Sequence, residues 1–413
     1  MRILVWHGYL LAGTGSNIYS RALARAWGRA GHDVVVLSQE PHPERFDLGG
    51  ATVVRPDIGG VLPVFVLDRY EGLEARYLHE FSPKELDRYF DRNAAAVRDQ
   101  LPADLVFANH VLPGGEVAAR AGTAYAVKVH GSELEYSLRG RPELVERARV
   151  ALDGAQAVFV GSEHIRSVLE DVVGHVDRVH EVPPGVDVDE FVPETRDAAL
   201  AALLSECRRD MPNPGGAEVR LPDEGNAERL ERFFSADEPT VLYFGKLLRN
   251  KGVHVLFEAL RRVGARSVIV GFGDYREELE RMAPPRALFT GALEHRHLVH
   301  LLPLCDVAVV PSIFPEAFGM VAAEAAAAGC PPLVARHSGL AEVAAALEEA
   351  YGSERAALAS FRTRDAADLA SKLEALLALP AEERRELGAA ARRTAVGCWS
   401  WERIAERLLA PFE

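Results

Sequence analysis

Cysteine is scarce in this chain: Cys207, Cys305, Cys330 and Cys398 are the only four in 413 residues. No two are spaced as Cys-x-x-Cys, which excludes a zinc knuckle and a redox dithiol. Four scattered thiols in so long a chain read as reduced core residues rather than a disulfide framework. Positive charge is also in deficit. Lys plus Arg number 47 against 61 Asp plus Glu, a formal net charge of −14, which argues against a nucleic-acid groove and for a cytoplasmic protein. No run approaches the ~20 apolar residues of a membrane helix. The opening, MRILVWHGYLLAGTG, lacks a charged start, a long apolar stretch and a cleavage site. It reads as a buried strand and a glycine turn, not a signal peptide.

What is present is an ordinary globular mix, 48% hydrophobic and 26% charged, arranged with a clear rhythm. Short β-branched runs alternate with helical patterns. Candidate strands are residues 2–6, 33–38, 105–109, 125–130 and 157–161, then 240–245, 267–271, 287–290, 307–311 and 332–335. Strand then helix, repeated, predicts parallel sheets covered on both faces. In the first crossover Ile18, Ala22, Leu23, Ala26, Trp27 and Ala30 share one stripe, with Gly31 as a C-terminal stop. Residues 194–238 break the rhythm and read as a linker carrying an insertion. The expectation is therefore an α/β protein of two doubly wound domains, 1–192 and 239–395, joined through 193–238 and facing a central cleft.

In wound sheets ligands sit at the carboxyl ends of strands, near helix N-termini. The first such turn, Leu11 to Asn17, carries Gly13 and Gly15, with Ser16 or Asn17 as a possible cap. Its third dinucleotide-fingerprint position is Ile18, and the second strand offers only Glu40 as a ribose acid, so a nicotinamide site is poorly supported. Two later strand ends bear histidines, Asn109-His110 and His130-Gly131-Ser132-Glu133. One histidine after a strand is ordinarily structural; two that should face one cleft make candidate site residues, framed by Asn109, Ser132 and Glu133.

The second half places GKLLRNKG (residues 245–252) after a strand. Lys246 and Lys251 could be a solvated basic loop, or could meet a diphosphate as point charges. The glycine spacing is not that of a Walker loop, which disfavours ATP hydrolysis. A weaker turn, with Gly273, follows the next strand. The densest cluster is EAFGMVAAE, residues 316–324. Glu316 lies in a loop, and a helix begins near Phe318, Gly319, Met320 and Val321. Alanines surround Glu324 in that helix, so its carboxylate needs a partner, and a ribose diol would serve. The free N–H groups of the helix start suit a diphosphate.

Glu316 and Glu324 thus stand in an E-x7-E arrangement. With GKLLRNKG, PPGVDVDEF, HSGLAEV and SWERIAERLL, the chain resembles the retaining glycosyltransferases of family 4, which have the GT-B fold of two Rossmann-like domains. The resemblance runs over nearly the whole chain except residues 194–238. It implies that domain 1–192 binds the acceptor, that 239–395 binds a nucleotide-diphosphate sugar, and that the helix within 396–413 packs back on the first domain. Glu324 would hold the ribose, Glu316 the donor sugar hydroxyls, and the backbone of Phe318, Gly319, Met320 and Val321 the sugar and phosphate. Lys246 and Lys251 would neutralise the departing diphosphate, with Gly245 and Gly273 lining the donor and Gly15 approaching it. The family usually has Arg at the Lys246 position, so the planar fork is lost here. His130 would lie by the anomeric carbon. The resemblance thus gives His130, Glu316, Lys246 and Lys251 catalytic roles, while Ser16, Asn17, Asn109, His110 and Glu133 remain candidates on the acceptor side. The GSNIY run (residues 15–19) is similar to the loop of members acting on inositol phosphate or sugar phosphates.

Expected chemistry is metal-independent transfer to a hydroxyl of a small or lipid-linked acceptor, without a cofactor. Charge growing on the phosphate would be met by lysines and a helix dipole. An epimerase or hydrolase of nucleotide sugars, or a non-catalytic nucleotide-sugar binding protein, are the other readings.

Overall fold

In the computed structural model, which describes residues 1–65, 70, 72–213 and 220–413, the chain forms two α/β units. One comprises Met1–Gly185 with Trp401–Glu413, the other Val186–Ser400.

The first unit contains β1 (Arg2–Trp6), β2 (Asp33–Leu37), β3 (Thr52–Val54), β4 (Val61–Val64), β5 (Glu74–Tyr77), β6 (Leu105–Asn109), β7 (Tyr125–Lys128), β8 (Ala157–Val160) and β9 (Val179–Glu181). Seven of these make one parallel sheet in the order β3-β2-β1-β6-β7-β8-β9, while β4 and β5 pair separately. All-parallel strands are covered on both faces, so they read as unbroken apolar runs; every residue of β6 is buried. The order reverses between β1 and β6, which opens a crevice beyond their carboxyl ends.

Helix Gly15–Arg29 covers one face. Its buried stripe is Tyr19, Ala22, Leu23, Ala26 and Trp27, whereas Ile18 is 42% exposed, and Ala30 lies at the exposed C-cap. The predicted stripe was one residue off at its start, because the helix turns Tyr19 rather than Ile18 inward. Thr14, not Ser16 or Asn17, caps this helix, its hydroxyl accepting from the Asn17 N–H at 3.4 Å. The closing helix Trp401–Leu409 packs on it, with Trp27 Nε1 donating to the Ala405 carbonyl at 3.1 Å.

The second unit holds β10 (Thr240–Phe244), β11 (Arg266–Val270), β12 (Ala287–Phe289), β13 (Val307–Val310), β14 (Pro332–Ala335) and β15 (Ser360–Phe361), again all parallel, in the order β12-β11-β10-β13-β14-β15. Its reversal lies between β10 and β13.

Residues 194–238 differ from the expected linker. Helices Arg196–Cys207 and Asn226–Phe234 bury Leu203, Leu204, Leu230 and Phe234 in the second unit's core. Arg266 fastens the segment, donating to the carbonyls of Phe233, Ala236 and Glu238. Helix Arg196–Cys207 packs against Asn226–Phe234 and against helix His295–Leu301; residues 214–219 of the turn-rich piece lie outside the described residues. The first division falls at Gly185/Val186 rather than 192/193, because Val186, Val188 and Phe191 join the second core. Cys207, Cys305 and Cys330 are buried, but Cys398 is exposed, against expectation. No helix among the described residues is long and apolar enough to cross a membrane.

Candidate functional site

Two clusters lie at the strand reversals, one in each unit. In the second unit, β10 ends in the lysine loop and β13 in the Glu316 loop. Adjacent strands deliver these loops side by side, and Lys251 Nζ lies 2.5 Å from Glu316 Oε1. The pair is partly open, with side-chain exposures of 31% and 22%. Gly252 makes this approach possible: its φ is 71°, and a Cβ there would lie 1.9 Å from the Pro311 carbonyl oxygen. Lys246 is exposed, on a turn tied by Tyr243, whose hydroxyl donates to the Lys246 carbonyl at 2.7 Å. Gly273 has a packing reason of its own, since a Cβ there would meet the Leu247 carbonyl at 2.4 Å. Gly245 is half-buried at the end of β10, its N–H donating to the Val270 carbonyl at 3.1 Å.

The Glu316 loop is held by main chain, which leaves its carboxylate to face Lys251. The Glu316 N–H donates to Ser338 Oγ at 2.9 Å, and its carbonyl accepts from Gly339 N–H at 3.0 Å. His337 Nε2 donates to the Ser312 carbonyl at 2.8 Å. Beyond it helix Met320–Ala327 starts at Gly319 with no side-chain cap. Met320 and Val321 are half-buried. The Phe318 side chain belongs to the core, edge-on to Trp399 at 5.8 Å, so what it offers a ligand is main chain.

Glu324 is half-buried on this helix. Among the described residues nothing hydrogen-bonds its carboxylate. Burial pushes its pKa up to about 7, opposed by the charge of His295. His295 itself lies 2.6 Å from Glu190 Oε2 and edge-on to Phe191 at 4.5 Å. Burial works against its charge, yet the Glu190 carboxylate holds its pKa above the ordinary value. Sequence reasoning missed this pair; Glu190 stands in PPGVDVDEF, but nothing linked it to a histidine about a hundred residues on.

In the first unit the ends of β1, β6 and β7 gather His7, His110 and His130. His7, also missed, places Nε2 2.9 Å from Asn17 Oδ1 and Nδ1 2.9 Å from Ser20 Oγ. Burial, then His110, pushes its pKa down to about 3. His130 Nε2 lies 2.8 Å from Asn109 Oδ1, and the His130 N–H donates to Glu133 Oε1 at 3.0 Å. Glu133 Oε2 is 3.2 Å from His110 Nδ1. Although burial opposes it, His110 holds the Glu133 carboxyl below the ordinary value. Lys128, unforeseen, is buried with Nζ donating to the Val182 carbonyl at 2.7 Å; burial pushes its pKa down to about 7.

Asn17, Asn109, His110 and Glu133 are all buried. Asn17 meets His7, while Asn109 and Glu133 hold the ring and the main chain of His130. His130 and Ser16 are half-buried and Gly15 is exposed.

Among the described residues, one group elsewhere in the second unit has metal-ligand composition: Cys207, Asp210 and His297. It is already closed by its own charges. Arg296 Nη2 sits 2.5 Å from Asp210 Oδ1, and His297 Nδ1 accepts from Glu294 N–H, which leaves Nε2–H aimed at the same oxygen at 2.9 Å.

Comparison with known proteins agrees with this layout. Residues 14–185 match the family described as glycosyl transferase 4-like domain, and residues 226–394 match glycosyl transferases group 1. The chain belongs to the family 4 type of glycosyltransferase, with the GT-B fold. Each match falls within one unit of the enzyme. The glycosyltransferase is 28% identical to a D-inositol 3-phosphate glycosyltransferase of Xylanimonas cellulosilytica, over 96% of this chain and 90% of that one. It is 28% identical to a GDP-mannose-dependent alpha-(1-6)-phosphatidylinositol monomannoside mannosyltransferase of Mycolicibacterium smegmatis, over 71% of each. In fold it is similar to a glycosyltransferase from Rickettsia africae (TM-score 0.71, 16% identity, 100% and 97% covered). HepE of Anabaena, solved with UDP and glucose, is also similar (TM-score 0.66, 17% identity, 99% and 98% covered).

Proposed function

We propose that this glycosyltransferase moves a sugar from a nucleotide-diphosphate sugar to a hydroxyl acceptor, with retention at the anomeric carbon and without an essential metal. The observation that carries the reading is the second unit's grouping. A cation from β10, Lys251, is paired with the carboxylate Glu316 from β13. The chain then runs into an uncapped helix start, and on that helix the half-buried carboxylate of Glu324 has no hydrogen bond among the described residues. These are complementary to a diphosphate, sugar hydroxyls and a ribose diol.

The chemistry follows from where charge develops. As the bond to the anomeric carbon breaks, negative charge grows on the phosphate oxygen. Lys251 and Lys246, with the main-chain N–H groups of Gly319, Met320 and Val321, stabilise it. Glu316, released from Lys251 by the incoming phosphate, accepts hydrogen bonds from the sugar hydroxyls. Glu324 accepts from the ribose. The family resemblance assigns Gly15 to the diphosphate and His130 to the donor sugar. Ser16 and the GSNIY run, together with relatives whose names carry inositol phosphate and phosphatidylinositol, support a polyol acceptor.

Thermal-shift titration against UDP-, GDP- and ADP-sugars tests the donor. Stabilisation of roughly 2.7 kcal/mol is expected at a hundredfold excess over Kd, and no response to any of the panel refutes the reading. Product NMR reports the anomeric configuration. Undiminished turnover in EDTA is expected, and loss restored by a divalent ion overturns metal independence.

A further inference from the structure

Asn109, His110 and Glu133 of the first unit are buried around His130. His130 has one ring nitrogen spoken for: Nε2 faces Asn109 Oδ1 at 2.8 Å. An amide oxygen only accepts, so Nε2 carries the hydrogen. Among the described residues no hydrogen bond reaches Nδ1, and His130 is half-buried, not enclosed. The ring is fixed from several sides. Tyr19 packs edge-on at 5.0 Å and the His110 ring lies 4.6 Å away. Below, the wholly buried Glu133 takes the His130 N–H with one oxygen and sits 3.2 Å from His110 Nδ1 with the other. The titratable groups facing the imidazole are thus the bases His110, Lys128 and His7, with Glu133 at its main chain. Burial and the three bases hold its pKa well below the ordinary value.

We propose that Asn109 and Glu133 are positioning residues, Asn109 locking His130 as the Nε2–H tautomer and Glu133 holding its main chain, so that a bare Nδ1 accepts a hydrogen bond from a substrate hydroxyl. His130 then orients a sugar alcohol; it is not the proton donor to the leaving phosphate. The proposal rests on the donor-sugar reading for its ligand, but the tautomer belongs to the free protein and is measured without one.

Two-bond 1H–15N correlation spectra of the full chain separate the protonated from the bare ring nitrogen. Nε2–H with a bare Nδ1 is expected for His130 from about pH 5.5 to 8.5, a range that spans ordinary histidine titration. A proton on Nδ1, or a doubly protonated ring in that range, overturns the proposal. Asn109→Asp puts a carboxylate on Nε2–H and favours the imidazolium. Its transfer rate is expected to fall about tenfold for each pH unit below the new histidine pKa, a step that wild type lacks. Superimposable pH profiles overturn the proposal. Glu133→Gln, which keeps the shape but weakens the hold on the His130 main chain, is expected to leave the Nε2–H tautomer in place and to lower kcat about tenfold with KM for the donor little changed; a normal kcat overturns the role of Glu133. Should no nucleotide sugar be turned over, the donor reading falls, while the spectra still decide the tautomer.

Discussion

Lys251→Ala separates catalysis from stability, because the structure sets both magnitudes. The side chain is 31% exposed and its partner Glu316 22%, so the pair is a partly screened one. Such pairs contribute about 0–1 kcal/mol to folding. For a unit the size of Val186–Ser400, that is a Tm change of about 2–4 °C at most. Removing the same charge from beside a departing phosphate costs far more. At an effective dielectric of about 20, opposite unit charges ~4 Å apart interact by about 4 kcal/mol. Allowing for water that refills the space, at least about 1.4 kcal/mol should remain, a tenfold or greater loss of kcat/KM. The assay is initial-rate nucleotide release over a range of donor concentrations, with a melting curve of the same preparation. A double-mutant cycle with Glu316→Gln should show coupling, since the two side chains touch. A kcat/KM within about twofold of wild type, with the melting curve unchanged, refutes the reasoning and makes the lysine loop a solvated surface.

Three further outcomes follow from single residues. Glu316→Ala is expected to abolish transfer with the fold intact, because main chain, not the carboxylate, holds its loop; near-normal turnover would refute its role. Glu324→Gln should stabilise the protein, and more so toward alkaline pH. The folded pKa, about 7, lies above that of the unfolded chain, so the native state binds the extra proton and stability falls as pH rises from roughly 4.3 to 7. Melting curves showing a gain at pH 5 equal to that at pH 8 would contradict this. Gly252→Ala forces a Cβ to within 1.9 Å of the Pro311 carbonyl at a φ of 71°. A loss of at least about 2 kcal/mol on urea unfolding is expected, and a neutral effect would mean that the two loops are not held together there.

Much of the second unit's site was legible because its chemistry is local in sequence. Glu316 and Glu324 are eight residues apart, and a single charge in an alanine-rich helix marks itself. The lysine loop stands out after a strand in an acidic chain. The first unit was harder. His110 and His130 were found at strand ends and His7 was not, and nothing in the spacing says which of Asn109, His110, Glu133 and His130 reaches solvent. Strands β3, β4, β5, β9 and β15 were missed, since two to four residues carry little period. Residues 194–238 were misread because their helices complete a core whose other members lie far along the chain.

By itself the sequence determined the alternation that makes two parallel sheets, since apolar runs must be covered on both faces, and the identity of the charged groups at strand ends. Tertiary structure alone decided strand order, and with it which ends become neighbours. Lys251 meets Glu316 because β10 lies beside β13. Only packing decided which histidine is buried and which is open, and which carboxylate is left without a hydrogen bond among the described residues. Burial and proximity are properties of surfaces brought together from distant parts of the chain, and no local pattern encodes them.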